Sequence, residues 1–216
     1  MKQFPSDKTN LAWFKLAECV ARGEKERALG VYRLLSHSIP DSAYVLQLEG
    51  DLLLAFNDTV AQEKYQAAIA LYRKEGRLRE AAAVGEHVAL LSPLDVELIE
   101  QLLEVYQQLG LLDKMCHYCG ILTDILLKTK QFEALREKIQ SYAQILQQFD
   151  RILLYKEVLR RYVAHRNAPE DLGSELLQTV LTLFVEAGLE QEIQRFIAEL
   201  ELLHQGYHQK ALAFYR

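Results

Sequence analysis

Proline is scarce, with four residues in 216, and the ten glycines come singly. The first shortage leaves long stretches free to form uninterrupted helix, because an interior proline breaks one. The second excludes a glycine-rich phosphate cradle or dinucleotide fingerprint, and no nucleophile elbow or zinc-protease helix occurs either. Three cysteines, an odd number, do not make a disulfide framework, so a reducing cytoplasm is the expected compartment. Basic residues are outnumbered, 25 against 30, and the net charge of −5 argues against a dedicated nucleic-acid protein. No apolar run approaches the ~18 residues of a spanning helix, so no membrane insertion is expected. The first residues, Met1-Lys2-Gln3-Phe4-Pro5-Ser6-Asp7, lack the apolar core of a secretory signal.

What is present is apolar and periodic. Half of the residues are hydrophobic and a quarter are charged, enough for a substantial core. Ala28, Ala81 and Ala134 stand 53 residues apart. Gly23 and Gly76 keep that interval, as do Pro40 and Pro93, Leu46/Ile99/Ile152, Leu52/Val105/Val158, Leu53/Tyr106/Leu159 and Phe56/Leu109/Tyr162. A fixed period of this size marks stacked repeats that bury their apolar faces against neighbours.

Apolar residues recur every three or four positions almost throughout, which predicts amphipathic helices. They fall near 8–22, 25–38, 42–56, 59–75, 78–91, 94–109, 112–128, 132–147, 151–166, 171–187 and 189–204. Gly23, Gly76, Gly110 and Gly188 fit left-handed helix ends. Asp41 and Asp58 fit caps, and Ser92-Pro93 fits a cap with a first-turn proline. Gly76 to Gly110 is 34 residues and Met115 to Ala134 is 19, which together give 53. The reading is a three-helix unit whose middle helix pairs with both others. Units run 41–92, 93–147 and 148–204, the last with six residues inserted within 165–173. Residues 1–40 supply two helices of an earlier unit, and 205–216 read as a tail or a truncated repeat.

Gly23, Ala28, Tyr32 and Pro40, repeated as Gly76, Ala81, Gly85 and Pro93, resemble the tetratricopeptide-repeat family. Weaker echoes are Gly110, Met115, Cys119 and Gly188, Ile193, Ile197. The resemblance implies one all-α, right-handed solenoid of antiparallel helices, about eleven in number. It also implies that first helices of hairpins line a concave groove. Glu97, Glu100, Glu104, Gln107 and Gln108 would then point into it, with Glu63, Gln66, Arg73 and Lys74 at matching places on helix 59–75. The family's carboxylate-clamping positions hold Ala70 and Glu104 here, which argues against capture of an acidic peptide terminus at that place.

Other candidate sites carry less. Arg151, Lys156, Arg160, Arg161 and Arg166 make a basic helix, which could touch phosphates but is expected to pair with the Glu-rich stretch 186–201. Cys116-His117-Tyr118-Cys119 looks like a metal fragment, yet no second cysteine pair exists and Cys119 falls on a core position. No metal and no cofactor is expected. Trp13 and Phe14 fit an end cap. The functional expectation is a non-enzymatic adaptor with a protein or peptide partner, and self-association is left open. The alternative is a dedicated chaperone, since some bacterial secretion chaperones resemble this architecture.

Overall fold

A computed structural model describes residues 7–165 and 168–215, with side chains from residue 10 onward. Among the described residues the fold is all-α, an array of twelve helices packed in neighbouring pairs. They divide into two compact units, Met1–Pro93 and Leu94–Arg216.

The first unit holds α1 (Asp7–Ala21), α2 (Lys25–Ser36), α3 (Ser42–Ala55), α4 (Val60–Lys74) and α5 (Leu78–Leu91). Ala28, Tyr32 and Leu35 of α2 pack with Leu16 and Cys19 of α1 and Leu52 of α3. Trp13 joins the rim of that cluster, while Phe14 is 75% exposed. Helix α4 packs against α3 on one side and α5 on the other. Ala28 and Ala81 are both fully enclosed, as a close helix crossing requires.

The second unit holds α6 (Val96–Leu109), α7 (Leu112–Lys128), α8 (Phe132–Gln144), α9 (Gln148–Ala164), α10 (Glu170–Glu186), α11 (Glu190–Leu203) and α12 (Gln205–Tyr215). Helix α7 packs on α6 and α9, and α10 on α9 and α12. Gly120 of α7 meets Glu157 and Arg161 of α9, and Asp124 meets Arg161 and His165, so these two helices run parallel. The twelfth helix is an addition to the eleven expected. It docks on α10 and α11 through Tyr207 and Ala211, much as α9 docks on α7 and α8.

One turn recurs. Gly23, Gly76, Gly110 and Gly188 have φ between 66° and 72°, as expected of helix-ending glycines. Asn57 and Lys130 take the same conformation without being glycine. In all six the left-handed residue donates its N–H to the carbonyl three back: Val20, Leu54, Arg73, Gln107, Leu127 and Val185. The next residue donates to the carbonyl five back: Cys19, Leu53, Tyr72, Tyr106, Leu126 and Phe184. This pair of bonds satisfies carbonyls that a helix end leaves open.

Lys130 falls one residue later than a strict 53-residue period from Gly76 would place it. The core of α8 moves with it. Ala28, Ala81 and Leu135 each donate the first intrahelical bond, to Glu24, Arg77 and Gln131 respectively. Leu135, not Ala134, is therefore the buried residue of the third copy, and Ala134 is only half-buried.

Caps differ in two places from expectation. Asp41 accepts the Tyr44 N–H at 3.0 Å, as expected. Asp58 accepts the Val60 N–H at 2.9 Å from one position ahead of the cap. Helix α6, however, starts at Val96, because Asp95 accepts the Leu98 N–H at 3.0 Å. Ser92 instead closes α5, giving its N–H to the Val88 carbonyl.

Candidate interaction surface

Helix α6 has two unlike faces. Leu98, Ile99, Leu102, Leu103, Val105 and Tyr106 are buried. Glu97, Glu104, Gln107 and Gln108 are exposed along the opposite side, with Glu100 half-buried between them. At 1.5 Å per residue this row is ~17 Å long. Glu100 binds Lys138 of α8 at 2.7 Å. Tyr142, one turn further along α8, is half-buried. Its phenol is pushed well above the ordinary range, first by burial and then by the Glu100 and Glu104 carboxylates. The row is thus rimmed on the α8 side by one engaged cation and one aromatic ring. Neither Lys138 nor Tyr142 stood out in the sequence; their four-residue spacing, which puts them on one face of α8, is the signal that marks them.

The α4 row lies in the other unit. Glu63 and Lys74 are exposed, and Gln66 and Arg73 are half-buried. The nine candidate residues thus divide between the two compact units, four on α4 and five on α6.

Two cations of the basic helix α9 are engaged by acids. Arg160 pairs with Glu199 of α11, the expected Glu-rich partner, and Arg161 with Asp124 of α7 at 2.7 Å and Glu157 at 3.0 Å. Hydrogen bonds to those carboxylates raise both guanidinium pKa values, against burial that lowers them. Arg166 lies outside the described residues.

Ion pairs of this kind join helices two apart throughout the second unit: Glu100–Lys138, Asp124–Arg161, Arg136–Glu175, Arg160–Glu199 and Glu170–Lys210. Being partly solvated, each contributes little to stability, but together they fix which carboxylates and cations remain for a partner.

Cys119 is buried and Cys116 half-buried on α7. Burial, with Glu157, Asp113 and Asp150 nearby, pushes the Cys116 thiol up to about 11. His117 is exposed and its ring meets Tyr118 edge-on. No cluster of three metal-ligating side chains occurs among the described residues. Nor is any helix among them long and apolar enough to cross a membrane.

No protein-family model matches this chain, and no curated protein matches it.

Proposed function

We propose that this chain is a non-enzymatic interaction module that captures a basic, extended partner segment along α6. One observation carries the reading: the row Glu97, Glu104, Gln107 and Gln108 is exposed on a helix whose other face is locked into the core. A preformed helix loses little conformational freedom when it binds, so more of the contact energy appears as affinity. Carboxylates would attract lysine and arginine side chains, and the amides would pair with an extended backbone. Tyr142 adds an aromatic edge to the same strip. The resemblance to tetratricopeptide repeats supports an interaction role, and three free cysteines fit a reducing compartment such as the cytoplasm.

The test is a pull-down with the intact chain, followed by Glu97→Lys and Glu104→Lys. Loss of the captured partner, and weakening of wild-type capture by added salt, are the expected results. Capture that survives both charge reversals removes α6 from consideration.

A further inference from the structure

A second surface of opposite chemistry lies on α9. Phe149, Leu153, Lys156 and Arg160 fall within one narrow stripe at helical spacing. Phe149 is 60% and Leu153 48% exposed, so two large apolar side chains stand in solvent one turn apart. Beyond them the stripe enters a cleft of about 340 Å³ lined by Leu153, Lys156, Glu157 and Arg160 of α9 and by Asp113, Cys116 and His117 of α7.

Lys156 is the exceptional member. Five described lysines are half-buried: Lys25, Lys64, Lys138, Lys156 and Lys210. Four of them hold a carboxylate: Asp58, Glu49, Glu100 and Glu170. Lys156 holds none. Its ammonium instead lies 5.7 Å from the Phe184 ring and 5.5 Å from the Phe196 ring. Burial, and then repulsion from Arg160, lowers its pKa, against longer-range attraction from Glu199 and Glu192. A half-buried cation without a counter-ion is costly in water-poor surroundings. Arg160 and Glu157 already engage each other and their neighbours. Asp113, on the facing wall, disfavours a second anion.

We infer that this face of α9 docks a partner segment carrying two apolar side chains one turn apart and a single carboxylate beyond them. The apolar pair would cover Phe149 and Leu153, and the carboxylate would supply the counter-ion that Lys156 lacks. The ring faces of Phe184 and Phe196 hold the ammonium in place beforehand. This inference does not rest on the α6 reading, since the residues, the helix and the charge preferred are all different.

The probe is a short fluorescein-labelled helical peptide with two leucines one turn apart and a glutamate one turn further on. Its control replaces the glutamate by glutamine. Fluorescence anisotropy is measured with the full chain and with Lys156→Met and Phe149→Ser. Both substitutions change partly exposed side chains, and an unchanged circular dichroism spectrum and melt confirm the fold. The acidic peptide is expected to bind the wild type at least ~10-fold more tightly than its control. That preference should vanish in Lys156→Met, while Phe149→Ser should weaken both peptides. Equal binding of the two peptides to the wild type overturns the inference, as does undiminished preference in Lys156→Met or no binding at all. Self-association of the chain that Phe149→Ser abolishes also overturns it, because the face would then belong to a second copy.

Discussion

The phenol oxygen of Tyr207 lies only 1.9 Å from where a β-carbon on residue 173 would stand, so Gly173 is the seat on which α12 rests. Tyr162 closes the other side at 2.8 Å. Gly173→Ala in a helix interior would ordinarily stabilise by roughly 0.5–1 kcal/mol. Here the added methyl must displace two buried aromatic rings, and overpacking of that kind costs about 1–3 kcal/mol. The expected result is a net loss, concentrated in α12. Hydrogen exchange should show α12 amides opening while those of α6 and α7 keep their protection. Adding Tyr207→Phe should recover part of the loss, because it removes the nearest atom.

Lys130 adopts φ 57° at a turn where four counterparts are glycine. A left-handed conformation costs a non-glycine residue roughly 1–2 kcal/mol. Lys130 is exposed, so replacing it loses no packing. After allowing for the extra freedom of glycine in the unfolded chain, Lys130→Gly should stabilise on the order of 0.5–1 kcal/mol. A shift of the urea midpoint to higher denaturant checks this. A lower midpoint would mean that the strain is absent.

The same turn explains what could be read from the sequence and what could not. Cys19, Tyr72, Ile125 and Phe184, aligned by the repeat, are all buried, as are Tyr65, Tyr118 and Leu177. Apolar recurrence therefore located the core well. Glycine punctuation located four of the six helix-ending turns. Asn57 and Lys130 escaped it, because they make the same two backbone bonds without the residue that marks the conformation. The single extra residue before Lys130 then shifted the third copy, so that Leu135 replaced Ala134 in the core. The exposure of the α6 row was equally legible, since it follows from amphipathic spacing. The grouping of side chains from different helices was not. Glu100 with Lys138, or Lys156 with Phe184 and Phe196, depends on which helices lie side by side.

Asp41 is a titration handle on the first unit. Its carboxyl is held below the usual range, first by the Tyr44 N–H and then, against a desolvation cost, by Arg77. Arg77 reaches it at 2.8 Å from the start of α5. A depressed folded pKa stabilises above the unfolded carboxylate value of ~3.9 and is lost as pH falls through the folded value. The melting temperature should therefore decline below about pH 4. Asp41→Asn keeps a capping oxygen but no titrating charge, so it should flatten that decline. An identical acid profile for the variant would show that other carboxylates dominate.

Cys116 offers a complementary probe at the alkaline side. Its thiol is raised to about 11 by burial and then by neighbouring carboxylates. The thiolate is the reactive form, so alkylation by iodoacetamide at neutral pH should run at least ~10-fold slower than for an ordinary thiol near 8.5. The rate should keep climbing as pH approaches 11. The sign for stability is the reverse of Asp41: a raised folded pKa helps below the unfolded value, and the benefit is lost as pH rises through about 11. Rapid labelling of Cys116 in folded protein at pH 7 would contradict the burial described for α7.

Ala81 tests the helix pairing on which both units are built. It is 1% exposed, where α5 packs against α4, and its N–H begins the ladder of α5. Ala81→Asp would put a carboxylate at a position of α5 that is closed to solvent. Such a group must either ionise in poor solvent or bind a proton, and each route costs on the order of 3 kcal/mol or more. Ala134→Asp makes the natural control, because the shifted register leaves that residue half-buried beside Lys130 and Arg136. It should cost well under half as much. Urea unfolding of the two variants therefore separates a repeat counted along the chain from the repeat the helices form: equal losses would restore Ala134 to the core and contradict the one-residue shift at Lys130.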